Sequence, residues 1–204
     1  MISLRHPQIN RSVFEDLFIL EMANNHRGSV ARGLEIIKQF NRVVRYNNIR
    51  AAIKFQIRHV ESFIHKDFAD RQDIRYIKKT MDTRVSRADL ATLIHYTRET
   101  AMIPIATAFD ERSVDMCVDL GLDIVKLASS DINDWFLIEK IALTKKPVIA
   151  STGGSSLKDT DLVVESFDEA ERNILDVQVG NDAIPMTIHH RSEFFERFES
   201  LPLE

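Results

Sequence analysis

Short runs of consecutive apolar residues recur along this chain and limit its fold more than any other feature of its sequence. Five of them are predicted to be strands, and they begin near Leu17, Ala51, Pro104, Asp123 and Pro147. Amphipathic stretches that fit helices lie between the runs. Strands that are apolar on both faces and are separated by helices are typical of a parallel β-sheet covered by helices.

Capping residues mark where the helices begin. Side chains suited to N-capping precede four of the amphipathic stretches, at Ser29, Ser86, Asp110 and Ser156. Asp89 and Asp159 follow two of these caps by three residues and predict capping-box contacts. A further helix is predicted around Trp135 to Leu143, whereas the polar stretch 58–85 is expected to be a long connection.

Repeated strand–helix units fit either a (β/α)8 barrel or a doubly wound open sheet. Neither the GxGxxG nor the GxxxxGK[ST] phosphate-binding motif is present, which disfavours the nucleotide-binding open sheets. Polar residues cluster at the carboxyl ends of the predicted strands, where barrel active sites form. The sequence therefore predicts an α/β protein of the (β/α)8 TIM-barrel type.

The predicted barrel is incomplete. With a plausible additional strand at Ile184–His189 the chain has about six βα units in 204 residues, whereas a full barrel has eight strands in roughly 250 residues. Either this is a shortened version of a longer protein, or another chain completes it.

The charge distribution favours a small anionic substrate over nucleic acid. Residues 1–58 hold ten Lys and Arg against four Asp and Glu (net +6), and residues 159–204 hold three Arg against twelve acidic residues (net −9). Differently solvated faces would explain this pattern, as would a basic half that attracts an anion. The basic residues are dispersed and no nucleic-acid-binding motif accompanies them.

The compartment is predicted from three simple observations. Cys117 is the one cysteine, so no internal disulfide can form, which fits a reducing compartment. No stretch approaches the ~20 consecutive apolar residues of a membrane span. The first twenty residues carry too many charges for a signal peptide. We therefore expect a cytoplasmic protein with no membrane partner.

Two lysines inside apolar strands indicate an anion-binding site. Lys54 and Lys126 each stand between two large apolar residues near the carboxyl end of a strand. One such lysine alone would suggest a buried salt bridge or a residue at the rim of the sheet, because a buried unpaired ammonium is costly. Two in corresponding positions, with hydroxyl neighbours and the Gly153-Gly154 turn, favour a phosphate or carboxylate ligand.

Five segments with polar residues lie at the carboxyl ends of the predicted strands. They are Glu21-Met-Ala-Asn-Asn25-His26-Arg-Gly28, Lys54-Phe-Gln56, Thr107-Ala-Phe109-Asp110, Lys126-Leu-Ala-Ser129-Ser-Asp131 and Ser151-Thr-Gly-Gly154. In order and spacing, over about residues 17–165, they resemble the sialic acid synthase family. The resemblance implies a (β/α)8 barrel followed by a small antifreeze-like domain, and a homodimer in which that domain reaches the partner's active site.

The resemblance also implies roles for individual residues. The phosphoenolpyruvate site would consist of Lys54, Thr107, Lys126, Ser129 and Ser151. The amino sugar would lie beside Gln56 and Phe109, and Glu21 and Asp131 would be the catalytic acidic residues. Relatives often have Glu at the position of Asp131, so its side chain is shorter here. His26 either takes part in the site or braces the loop after the first strand.

A divalent metal, Mn²⁺ or Mg²⁺, is a further implication, because the family uses one to polarise the sugar aldehyde. His190 follows the predicted sixth strand and is either its first ligand or an ordinary surface histidine. Arg191-Ser192-Glu193 does not continue the family pattern, and we find neither the second histidine motif nor the antifreeze-like domain. We divide the chain into a partial barrel domain, 1–165, and an acidic tail, 166–204, with the sixth strand and a C-terminal helix.

Three functions remain in competition. The first is the condensation of phosphoenolpyruvate with N-acetylmannosamine or a related N-acetylated amino sugar, which gives a sialic-acid-type nonulosonate and releases phosphate. The alternative is a non-catalytic truncated fragment that keeps an anion-binding site. A lyase or aldolase with a Schiff-base lysine is the third, but it needs one lysine of depressed pKa rather than two beside hydroxyls.

Overall fold

The computed structural model describes residues 13–168, 175–179 and 184–188. Within them the strands form one sheet in chain order: β1 (Leu17–Ala23), β2 (Arg50–Ile57), β3 (Ile103–Ala108), β4 (Ile124–Leu127), β5 (Val148–Ser151), β6 (Leu175–Val179) and β7 (Ile184–Ile188). Strands β1 to β6 run parallel to one another. A parallel sheet in which the strands lie side by side in their chain order is typical of a barrel. In a doubly wound sheet the strand order reverses at a switch point. The predicted fold class, an incomplete TIM-type barrel, is confirmed.

Helices connect the parallel strands and cover one face of the sheet. They are α1 (Val30–Asn47), α2 (Val60–Phe63), α3 (Arg75–Asp82), α4 (Arg87–Glu99), α5 (Glu111–Asp119), α6 (Trp135–Leu143) and α7 (Leu157–Asp168), with single 3₁₀ turns at Lys66–Phe68 and Ser129–Asp131. The four predicted N-caps are confirmed. The Ser29 hydroxyl, for example, accepts a hydrogen bond from the Arg32 amide at 3.3 Å, and an Asp110 carboxylate oxygen accepts one from the Ser113 amide at 2.8 Å.

The two faces of the sheet have different roles. The outer face packs against the helices in the main core, where Phe55 and Leu127 of the strands join Ile37, Leu93 and Ile138 of the helices. The inner face carries a smaller apolar cluster of Ala52, Ile105, Ile124 and Ile149. That cluster is the floor of the barrel, so polar side chains further along the same strands lie above it.

The segment between β2 and α4 is more ordered than the sequence predicts. Instead of a long connection it contains α2, a 3₁₀ turn and α3. Val60, Ile64 and Ile77 bury their side chains together in a small cluster of their own. The prediction was wrong because three separated apolar residues in a polar stretch give no visible periodicity, although they suffice to hold two short helices together.

The end of the described sheet also corrects a prediction. The segment Ile184–His189 was predicted as the sixth strand of the barrel, but the strand described there, Ile184–Ile188, is the seventh and pairs antiparallel with β6. Only residues 180–183 separate these strands, and a parallel crossover needs a dozen residues or more. β6 itself was not predicted, because Asp176 and Gln178 interrupt its apolar residues.

Several predictions fall outside the described residues. His190 and the predicted C-terminal helix lie there, as does the last residue of the predicted strand, His189. In the described part of the chain no helix has both the length and the hydropathy needed to cross a membrane.

Gly28 gives a testable prediction about how the β1–α1 loop is held. Its φ is +74°, and an added Cβ would lie 3.0 Å from the carbonyl oxygen of Asp82 and 3.2 Å from that of Arg84. Gly121 has a similar φ of +66°, but there the nearest atom to an added Cβ is an Arg98 side-chain nitrogen at 3.7 Å. Gly121→Ala should therefore lower the free energy of unfolding by ~1–2 kcal/mol through backbone strain alone. Gly28→Ala should cost at least ~1 kcal/mol more through the backbone clash.

Urea denaturation of both variants measures the difference. Equal losses of stability would mean that the loop moves away from Asp82 and Arg84 without cost, and that the close approach does not hold it.

Candidate active site

The inner face of the sheet collects most of the predicted site residues. Strand register pairs Glu21 with Lys54, Gln56 with Thr107, and Thr107 with Lys126. Lys126 also pairs with Ile149, two residues before Ser151. Paired residues of parallel strands share a face, as do residues two apart on one strand. Six of the predicted site residues therefore share this face: Glu21, Lys54, Gln56, Thr107, Lys126 and Ser151.

Three further predicted residues lie in the loops just beyond the strands, and the fourth, His190, lies outside the described residues. Ser129 and Asp131 lie in the 3₁₀ turn after β4. A Cβ added to Gly153 would be 3.8 Å from the Ser129 Cβ, so the loops after β4 and β5 adjoin. Phe109 follows β3, and its amide donates a hydrogen bond to the carbonyl of Ile57 at 3.3 Å.

Lys54 is buried and has an ionic partner. It is only 9% exposed, and its ammonium contacts the carboxylate of Glu21, the residue opposite it on β1. The Glu21 side chain is 46% exposed, so the pair lies between the interior and solvent. Pairing offsets the cost of removing the ammonium from water. The sequence left open whether such a lysine forms a buried salt bridge, lies at the rim of the sheet or binds an anion. Lys54 forms a salt bridge.

The positive charge of Lys126 is less well compensated by a carboxylate than that of Lys54. Burial lowers the pKa of Lys126 to about 8, with repulsion by Lys54 as the second cause, while Glu21 and Asp131 act in the opposite direction. Its ammonium donates to the carbonyl of Leu127 at 3.3 Å. Among the described residues it forms no ion pair. An anion placed between Lys54 and Lys126 would relieve their mutual repulsion.

Two polar atoms of the site are buried without a hydrogen-bond partner. They are the hydroxyl oxygen of Thr107 and Oδ2 of Asp131. Burial raises the pKa of Asp131, against the opposing effects of the Ser130 hydroxyl, Arg58 and Lys126. Buried polar atoms are nearly always hydrogen-bonded in folded proteins, so two unpaired ones beside two cations indicate a place for a ligand.

Arg58 is a site residue that the sequence analysis missed. Its guanidinium lies 3.7 Å from the centroid of the Phe109 ring and 5.4 Å from that of Phe63. Its Nη1 donates to the side-chain oxygen of Gln56 at 3.4 Å, and Asn24 donates to the same oxygen at 3.1 Å. A signal was available, because Lys54, Gln56 and Arg58 follow one another at the two-residue spacing of a single strand face.

His26 has a structural role in the β1–α1 loop. It is 3% exposed, and its Nδ1 accepts a hydrogen bond from the Gly28 amide at 3.1 Å. Burial lowers its pKa, which favours the neutral ring that this hydrogen bond requires. Of the two interpretations left open by the sequence, His26 is therefore a brace for the loop.

The described residues do not by themselves form a metal site. Within them no three His, Cys, Asp or Glu side chains come close enough together to hold a metal ion. Of the two acidic residues at the rim, Glu21 is already engaged with Lys54. His190, the metal ligand named from the sequence, lies outside the described residues.

Comparison with known proteins gives a family match over most of the chain. A family model described as the NeuB family matches residues 48–189. An uncharacterized protein of Methanocaldococcus jannaschii is 32% identical over 144 residues, which are 70% of this chain and 40% of that protein. N-acetylneuraminate-9-phosphate synthase of Drosophila melanogaster is 22% identical over 170 residues, 79% of this chain and 44% of that protein. The chain thus spans about two fifths of the length of these relatives.

A solved structure agrees with the sequence comparisons. The spore coat polysaccharide biosynthesis protein E of Chromobacterium violaceum superposes with a TM-score of 0.78 at 31% sequence identity. The match covers 91% of this chain and 56% of that one.

The pKa of Lys126 provides a direct test of the site geometry. We expect its amine to titrate near pH 8, whereas an exposed lysine titrates near 10.4. Lys54→Met should raise the pKa of Lys126, because it removes the repelling ammonium and releases the Glu21 carboxylate. NMR titration of ¹³C-methylated lysines measures both values, and Lys126→Arg assigns the signal.

Lys38→Met is the matched control, because Lys38 is exposed on α1 and its ammonium is 3.8 Å from Glu35. A Lys126 signal that titrates above pH 10, or that ignores Lys54→Met, would contradict the arrangement.

Proposed function

This chain belongs to the NeuB family, and on that premise we propose that it forms the phosphoenolpyruvate site of a sialic-acid-type synthase. The reaction would join phosphoenolpyruvate to an open-chain N-acetylated amino sugar, N-acetylmannosamine or a close relative, and release phosphate. At family level, relatives named as sialic acid and legionaminic acid synthases support such an activity.

One observation carries the proposal. Lys54 is close enough to Lys126 on the inner face to help lower the pKa of Lys126, and the buried Thr107 hydroxyl on the same face has no hydrogen-bond partner. A phosphate group would take charge-assisted hydrogen bonds from both ammonium groups and a third from Thr107. Ser129 and Ser151 lie on the adjoining loop and strand and would donate to its remaining oxygens.

The proposed chemistry assigns a task to each part of the rim. C3 of phosphoenolpyruvate attacks the sugar aldehyde, whose oxygen takes up a proton and becomes a hydroxyl group. This leaves positive charge at C2, where a water molecule then adds. A carboxylate accepts the proton of that water, for which Asp131, with its unpaired Oδ2, is better placed than the lysine-bound Glu21. The C2–O bond to phosphate breaks last, as the C2 hydroxyl gives its proton to the departing phosphate and becomes the ketone. The two lysines stabilise the charge on that phosphate.

Other expectations for this function stay predictions. Enzymes of this family are generally metal-dependent, so Mn²⁺ or Mg²⁺ is expected, with His190 as the candidate ligand named from the sequence. A homodimer and a cytoplasmic location are likewise expectations from the family and the sequence.

Phosphate release provides the test. The protein is supplied with phosphoenolpyruvate, manganese and N-acetylmannosamine, and the phosphate formed is measured by a coupled assay. We expect Lys126→Met and Lys54→Met each to lower kcat/KM by ~10²–10³-fold, since each removes one charged donor to the departing phosphate. Lys38→Met, which removes an exposed lysine of α1, should leave the rate unchanged.

Binding measurements separate this function from the non-catalytic alternative. If folded protein releases no phosphate with several amino sugars, but calorimetry shows that it binds phosphoenolpyruvate and loses binding in Lys126→Met, the chain is an anion-binding fragment. If phosphoenolpyruvate does not bind at all, both ideas are wrong.

A further inference from the structure

We propose that Arg58 is a positioning residue whose fixed positive charge keeps the carboxylate of Asp131 ionised, so that it can accept the proton of the attacking water. This inference rests on the proposed function and deepens it, because Asp131 is the base named there. Arg58 acts through space rather than by contact, since among the described residues no carboxylate forms an ion pair with it.

The chain on both sides of Arg58 is tied to the end of β3. The carbonyl of Ile57 accepts a hydrogen bond from the Phe109 amide at 3.3 Å. The amide of His59 donates to a carboxylate oxygen of Asp110 at 2.9 Å. These two bonds hold the backbone of Arg58 against the loop that follows β3.

The guanidinium of Arg58 is held in place as well. It lies 3.7 Å from the centroid of the Phe109 ring and 5.4 Å from that of Phe63. Its Nη1 donates to the side-chain oxygen of Gln56 at 3.4 Å, and Asn24 donates to the same oxygen at 3.1 Å. Its Nε is buried, so water does not screen that edge. A fixed and partly shielded charge acts more strongly on its surroundings than a charge in bulk water.

Asp131 is fixed too, and one of its carboxylate oxygens is unpaired. Its amide donates to the Ala128 carbonyl at 3.0 Å, and its own carbonyl accepts a hydrogen bond from the Asp134 amide at 3.0 Å. The Ser130 side chain forms a hydrogen bond that favours the charged carboxylate. Oδ2 is buried without a partner and therefore has a lone pair available for a proton.

Three charged groups act on Asp131. Burial is the main cause that raises its pKa, and the negative charge of Asp134 raises it further. The positive charges of Arg58 and Lys126 lower the pKa, and the effect of Arg58 is the larger. Asp134 is held beside Asp131 because its carboxylate caps α6 by accepting a hydrogen bond from the Leu137 amide at 3.1 Å. The charged form of Asp131 thus depends on a cation that opposes both burial and Asp134.

Arg58 suits this role better than Lys126 does. Lys126 has a pKa of about 8, and in the proposed function its ammonium binds a phosphate whose negative charge offsets its effect on Asp131. An arginine keeps its charge throughout the pH range in which enzymes work. A direct ion pair would occupy Oδ2, whereas a cation that acts from a distance favours the carboxylate and leaves that oxygen open to a proton.

The pKa of Asp131 tests the inference without requiring the reaction. NMR titration of ¹³C-labelled aspartate carboxyl groups follows it, and Asp131→Asn assigns the signal. Arg58→Gln should raise the pKa of Asp131, because it removes a positive charge that favours the carboxylate. Arg58→Met, which keeps an apolar contact with Phe109, should raise it to a similar extent. Arg58→Lys keeps a positive charge and should leave the pKa close to that of the unchanged protein.

The pH profile of kcat/KM for phosphate release connects this charge to the reaction. The base must be ionised in the free site, so kcat/KM should fall as the pH drops through the pKa of Asp131. In Arg58→Gln this fall should occur at higher pH, by the same shift as in the NMR titration, and Arg58→Lys should restore the original profile. Arg71→Gln is the matched control, since this exposed arginine is already paired with Asp73 at 2.7 Å. It should change neither measurement.

The outcomes separate the two proposals. If Arg58→Gln and Arg58→Met leave the pKa of Asp131 unchanged or lower it, the role of Arg58 is wrong and the proposed function stands. If the pKa rises but the pH profile does not move, Arg58 has no part in the reaction and its proposed role is again wrong. If the pKa rises in a protein that releases no phosphate with any amino sugar, the proposed function is wrong and the charge effect of Arg58 on Asp131 stands.

Discussion

The placement of two ammonium groups on one face of a parallel sheet is the constraint on which the rest of this structure depends. Register pairs Lys54 with Glu21, and the resulting ion pair allows the first lysine to be buried. Lys126 has no such partner among the described residues, and burial and its neighbour lower its pKa to about 8. The folded state holds this unfavourable arrangement because the apolar contacts on the other face of the same strands stabilise the sheet.

Stability and function are thus divided between the two sides of the sheet. The outer side chains of β2 and β4 pack with the helices in the main core. The inner ones form a small apolar floor below the polar rim. Because successive side chains on a strand alternate between faces, Phe55 can belong to the core while its neighbours Lys54 and Gln56 belong to the site. A change on the outer face should act mainly on unfolding, and one on the inner face mainly on ligand binding.

The sequence predicted the parts of the fold that have strong local signals. Strands β1 to β5 were found because parallel strands buried on both faces are continuous apolar runs, and the helix starts because capping residues precede them. The two short helices between β2 and α4 were missed because the few apolar residues of their small cluster, centred on Val60, Ile64 and Ile77, are widely spaced in a polar segment. β6 was missed because Asp176 and Gln178 interrupt it. The rim lysines were found from their chemistry within strands, whereas Arg58 was passed over because it lies just beyond the strand end.

The opposite shifts at Lys126 and Asp131 couple ligand binding to protonation. Burial lowers the pKa of the ammonium and raises that of the carboxyl group, so it favours the neutral form of each. An anion bound beside Lys126 would stabilise its ammonium and raise its pKa again. Because binding and proton uptake are linked, anion affinity should then fall as the pH rises through about 8, where the free site loses its proton. The same anion would raise the pKa of Asp131 further, which would make its carboxylate a stronger base for the proton of the attacking water.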